Sequence, residues 1–170
     1  METKKKLTRA QGVEAAIVLF TLNTGREGIL RLAARADMFR DVPPEALPAV
    51  RDRVLEEWRA FAHASVVYGL MHRAPNIVVA EYLRETRALL ARQGDDAAGA
   101  EAFIDGPFAA YMELLVQERH KECPSLFFRR VLDRKDGEIL SGSVAVVSGV
   151  MAMLLCAVID KLDGYDIQTE

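Results

Sequence analysis

From Ile139 to Ile159 the chain runs for 21 residues without a single charge, between Glu138 and Asp160. As a helix, a segment of that length is about 30 Å long, the thickness of a bilayer core. Three structures suit it. A C-terminal membrane anchor would span the bilayer and pair with a copy of itself through Ser141, Ala145, Gly149 and Ser148, Ala152, Cys156, two lines of small residues spaced by four. The core helix of a soluble bundle would be buried all round by its neighbours. A β-hairpin pivoting at Ser148-Gly149 would use Val144, Val146, Val147 and Val150, which favour strands. No Trp or Tyr marks the upstream end, and the flanking charges show only a weak basic bias. The expectation is therefore a buried central helix, in which a lysine in place of Ala152 finds no water and abolishes folding.

Ahead of this segment the apolar residues recur at helical spacing. Thr8 and Gln11 form a capping-box pattern that opens a run from Val13 to Leu22. Thr24 precedes a second run through Ile29, Leu30, Leu32, Ala33 and Ala36. Asp41-Val42-Pro43-Pro44 breaks the chain, and a third helix is expected from Pro44 to about Arg73. In it Leu47, Val50, Val54, Trp58, Phe61, Ser65 and Tyr68 lie three or four residues apart, with Arg51, Glu56 and Arg59 off the stripe. Asn76 is placed to cap a fourth helix over 77–92, with Val79, Leu83, Thr86 and Leu90 as its core line. Residues 93–106 turn to Gly, Asp and Ala and read as a flexible connection with a short helical stretch at 97–104. Helices follow from Pro107 to about His120 and from Leu126 to Asp133.

Alternating strand patterns are scarce, and no repeat or long linker divides the chain. The expected fold is an all-α single domain over 1–170, a compact bundle of about six to eight helices. The very hydrophobic helix at about 139–162 is its central core element, and residues 1–7 are a loose basic tail.

A formal charge of −3 argues against nucleic-acid or membrane-surface binding driven by bulk charge. Two cysteines, Cys123 and Cys156, and the lack of an apolar run after Lys4-Lys5-Lys6 point to a reduced, cytoplasmic protein. Arginine outnumbers lysine and alanine is the commonest residue, a composition that fits a GC-rich bacterial genome.

Most site chemistries find no constellation. His63 and His72 are nine residues apart, half a turn out of phase on one helix, and read as boundary residues. His120 and Cys123 lack further ligands, and no Glu stands three before a His, as a di-iron carboxylate bundle requires. Neither a phosphate-cradling glycine loop nor a nucleophile elbow is present. No metal, cofactor or catalytic residue is expected. Cys123, near Lys121 and before Pro124, reads as a small hydrophobe rather than an activated thiol.

The densest basic cluster, Arg119, Lys121, Arg129, Arg130, Arg134 and Lys135, is a possible interaction surface interleaved with Phe127 and Phe128. Its segment carries as many acids as bases, so an ion-paired face is expected rather than a strong nucleic-acid site. The functional expectation is a non-catalytic protein–protein interaction module that forms a homo-oligomer. A membrane-anchored protein spanning through 139–159 is one alternative. Another is a small-molecule-binding or enzymatic bundle with a pocket at Trp58, Phe61, Tyr68 and Met71.

Overall fold

The computed structural model describes residues 2–134 and 136–170. Strand β1 (Lys5–Leu7) leads into α1 (Arg9–Asn23), α2 (Arg26–Arg35), α3 (Leu47–Arg73), α4 (Asn76–Arg84) and α5 (Thr86–Arg92). Then come α6 (Ala97–Phe103), α7 (Ala109–Val116), α8 (Cys123–Leu132), α9 (Ser141–Asp163) and β2 (Tyr165–Ile167). The fold is all-α, with a long apolar C-terminal helix, as the spacing predicts.

The helix surrounded by the others is α3, which touches α1, α2, α4, α7, α8 and α9. Every residue from Ala60 to Leu70 is buried. Small side chains make this possible: Ala60, Ala62, Ala64, Ser65 and Gly69 let neighbours approach on each side. A Cβ at Gly69 would lie 3.0 Å from Leu162 Cδ1 and 3.1 Å from Val158 Cγ1, so α9 packs on α3 where a side chain is missing. Of the predicted stripe, Val50, Val54, Trp58, Phe61, Ser65 and Tyr68 are buried and Leu47 is half-buried; of the residues expected to stay wet Arg51 is exposed, whereas Glu56 and Arg59 are half-buried.

Helix α9 covers α3 and α8 with Val147, Met151, Leu154, Leu155, Val158 and Leu162. It is not buried all round: only one third of its most apolar stretch is inside the bundle. With α3 already filling the centre, α9 closes one side and leaves its other face open. Ala152 is exposed on that face, so a lysine there reaches water, contrary to the expectation that it would abolish folding.

The two ends of the chain are joined where a loose tail is expected at 1–7. Strands β1 and β2 pair in parallel, with Lys5 opposite Tyr165 and Leu7 opposite Ile167. The Lys5 amide donates to the Gly164 carbonyl (3.0 Å), and the Arg9 amide to the Glu170 carbonyl (2.8 Å). Gly12 is also required here, because a Cβ would collide with the buried Ile167 side chain.

Capping chemistry sets several boundaries. Thr8 and Gln11 form the predicted capping box at the start of α1. Thr24 does not cap α2: its hydroxyl donates to the Phe20 carbonyl (2.8 Å) and accepts from Gln93 Nε2 (2.9 Å), and Gly25 takes the N-cap. Nor does Asn76 cap, since Pro75 occupies that position. The single helix predicted over 77–92 breaks at Glu85 into α4 and α5. Its buried line is Val78, Tyr82, Thr86, Leu89 and Leu90, leaving Leu83 exposed, because Tyr82 and Thr86 turn inward to a histidine of α3. Asp96 caps α6 by accepting from the Gly99 amide (2.7 Å), within the stretch read as flexible. Ile104–Phe108 forms a wider π-turn around Pro107, which has no amide to donate.

That histidine is His63. It lies at the core centre rather than at a boundary, with Nδ1 2.9 Å from the Tyr82 hydroxyl and Nε2 2.9 Å from the Thr86 hydroxyl. Phe20, Tyr82, Phe103 and Phe108 surround the ring. Each hydroxyl donates or accepts as needed, so either neutral tautomer is satisfied. Burial pushes its pKa down to about 3.

Two outcomes follow for stability. Trp58 is 3% exposed and meets Phe127 edge-on at 5.9 Å, so Trp58→Ala should destabilise by about 3–5 kcal/mol in equilibrium denaturation. The unfolded chain protonates His63 near pH 6.5, whereas the folded chain resists until about pH 3. Stability present above pH 6.5 is therefore lost as pH falls through that window, by up to about tenfold in the folding equilibrium per pH unit. Glu57, whose pKa burial raises, acts in the opposite sense. The contribution of His63 is thus read as the difference in denaturation midpoints between wild type and His63→Gln at pH 7 and pH 4.5, with the variant showing the smaller acid loss.

Candidate interaction surface

The six basic residues singled out from the sequence do not form one surface. Arg119 pairs with Glu122 and also donates to Gln117 (2.8 Å). Arg130 Nε donates to Glu57 (2.7 Å), and Arg134 lies 3.9 Å from Asp41. Arg129 shares a groove with Arg119, but Glu113 and Glu122 line it as well. Lys121 is exposed at the edge of a different groove, and Lys135 lies outside the described residues.

The four residues read as a pocket are also separated. Trp58 reaches a groove between α2 and α9, Phe61 one between α8 and α9, and Tyr68 the surface at 118–122. Met71 is exposed near the end of α3.

Two groups of buried polar side chains form closed networks, whereas the buried Gln93 Oε1 and His120 Nδ1 have no hydrogen-bond partner among the described residues. Glu57, inside the bundle on α3, accepts from the Tyr111 hydroxyl (3.0 Å) and from Arg130. Burial raises the Glu57 carboxyl pKa, while Arg130 and Tyr111 pull it down. Burial and the Glu57 charge both push the Tyr111 phenol up. His63 is saturated by Tyr82 and Thr86. Among the described residues, no group of three or more His, Cys, Asp or Glu converges as a metal cage would.

Neither network was visible in the spacing. Glu57 sits beside Glu56 in a charged stretch, and its partners are 54 and 73 residues away.

The surface that stands apart is the outer face of α9. Gly142, Val146, Gly149, Met153, Cys156 and Asp160 are all exposed and lie 4, 3, 4, 3 and 4 residues apart, so they form one line along the helix. Two grooves flank this line. One, of about 570 Å³, is lined by Leu22, Ile29, Leu32, Val150, Met153 and Ala157 among others. The other, of about 330 Å³, lies between α8 and α9 and includes His120, Pro124, Ser148, Ala152 and Cys156. Leu22 and Met153, 76% and 72% exposed, both line the first groove.

Both small-residue lines noted in the sequence fall on or beside this open side, with Ser141, Ala145, Gly149, Ala152 and Cys156 exposed. The exposure of Leu22 had no signal in the sequence, since it ends a run that otherwise reads as core.

No protein-family model, characterised protein or solved structure matches this chain.

The two thiols differ sharply. Cys123 is buried, and burial with the neighbouring Glu122 pushes its pKa up to about 12, whereas Cys156 lies in the open. An aromatic disulfide reagent should therefore titrate one thiol quickly in the native protein and a second only after unfolding. Cys156→Ser should abolish the fast reaction; a fast phase surviving in that variant would place Cys123 at the surface.

Proposed function

We propose that this protein is a non-catalytic helical interaction module, a regulatory or assembly subunit that associates with itself. The observation that carries this reading is the outer face of α9, uncharged from Gly142 to Cys156 and flanked by two grooves and by exposed Leu22 and Met153. Contiguous exposed apolar surface of this kind marks association sites in soluble proteins. The closed networks at Glu57 and His63 support the non-catalytic part, since their hydrogen-bonding groups are used within the core.

A membrane-anchored form is the second reading. It rests on α9 being long and apolar enough to cross a bilayer. Against it, one side of α9 covers α3, and β2, immediately after it, pairs with β1. Leaving the bundle would expose Val147, Leu154 and Val158 together with their partners on α3.

Sedimentation of the full chain between about 1 and 100 μM should show concentration-dependent association in buffer without detergent. Met153→Arg changes a side chain that the fold leaves in solvent, so it should give a monomer with an unchanged melting temperature. A wild type that stays monomeric throughout would overturn the self-association.

A further inference from the structure

Two glycines on the outer line of α9 leave open space in the monomer. A Cβ at Gly142 or at Gly149 would meet nothing within 4 Å, yet a glycine in a helix interior, as Gly149 is, costs about 0.5–1 kcal/mol relative to alanine. At Gly69 and Gly12 neighbouring side chains occupy the space a Cβ would take; at 142 and 149 that space is open.

The spacing of the line is that of a helix-pairing seam, and its midpoint falls at Met151. An antiparallel pairing with a second copy sets each residue opposite one whose number makes the same sum. Gly149 then faces Met153, Val146 faces Cys156, and Gly142 faces Asp160. Large residues meet small ones, and the exposed Met153 enters the space left open above Gly149 of the other copy.

Charge selects the same direction. Asp160 would stand at the first turn of the other copy's α9, whose N-cap residue, Leu140, has no side-chain acceptor to offer the free amides. In a parallel pair Met153 would meet Met153, Gly149 would meet Gly149, and the two Asp160 carboxylates would repel.

The line from Gly142 to Asp160 runs about 27 Å along the helix axis.

We infer that two copies of this chain pair through antiparallel α9 helices across Gly142, Val146, Gly149, Met153, Cys156 and Asp160, each Asp160 capping the other copy's α9. The inference rests on the self-association proposed above and adds its face, direction and register.

Mild oxidation of the full chain tests it. In this register Cys156 and its copy are about 15 Å apart along the helix axis, too far for a disulfide, whereas Val146 and Cys156 are neighbours across the seam. Val146→Cys should therefore give a covalent dimer. Wild type and Val146→Cys/Cys156→Ser should not. Asp160→Lys should weaken association about tenfold in sedimentation, with the melting temperature of the dilute monomer unchanged.

A covalent dimer already formed by wild type would show parallel pairing and overturn the inference. Association in sedimentation without a Val146→Cys crosslink would place the interface on another face; the inference falls while self-association stands. A monomeric wild type overturns both. Flotation with vesicles of phosphatidylcholine and phosphatidylglycerol would show that lipid covers the face, and would likewise overturn both.

Discussion

The structure depends on burying α3 on every side. Eleven consecutive residues, from Ala60 to Leu70, are buried, so the polar side chains α3 carries there must find their partners inside the protein. His63 cannot keep a charge in that setting, and Tyr82 and Thr86 supply hydroxyls to both of its nitrogens. One turn and a half earlier, Glu57 keeps Arg130 and Tyr111 turned inward. Removing His63 would leave the Tyr82 and Thr86 hydroxyls buried without that partner, and removing Glu57 would do the same to the Tyr111 hydroxyl, a larger loss than the net worth of the bonds. Local irregularities lie beside these contacts. Thr86 begins α5 just after the break from α4, and the π-turn at 104–108 lays Phe108 against the ring, centroids 4.8 Å apart.

The elements that the spacing predicts well are those whose residues respond to a single buried direction. Thr8 and Gln11 start α1 because a capping box is local chemistry, and α3 ends at Arg73 because Ala74, held extended, precedes Pro75. The register of α4 was not legible in the same way. Val79 and Leu83 are the better hydrophobes, but the hydrogen bonds of Tyr82 and Thr86 to a side chain about 20 residues away turn the helix by about one position. The β1–β2 pairing spans nearly the whole chain and involves three residues on each side, too few for alternation to register.

The 139–159 segment shows a different limit. Charges normally report which face of a helix is wet, and this stretch has none. Its length and apolarity are therefore consistent with lipid, with a fully buried helix, or with a helix open on one side. Within the bundle, the packing places Val147, Met151 and Val158 against its neighbours and Gly149, Met153 and Cys156 outside. The candidate surface was partly written in the sequence, in the two small-residue lines. Its direction was not, because small residues suit a close contact within one chain as well as between two.

Whether that face is free to leave the bundle bears on what it does. A helix that inserts into a bilayer must detach, and α9 is held at both the side and the end. Its inner stripe covers the α3 segment that contains Gly69, where nothing else fills the gap. Beyond its last turn, the Gly164 carbonyl and the β2 backbone hold residues 5–7, which lead directly into the capping box of α1. Pulling α9 away thus uncovers the most buried helix and releases the first one at the same time. A surface fixed in this manner would meet a partner as a rigid body and lose little conformational freedom on docking. That rigidity favours a partner of complementary shape, and the alternation of glycine with methionine and valine along α9 is complementary to itself when reversed.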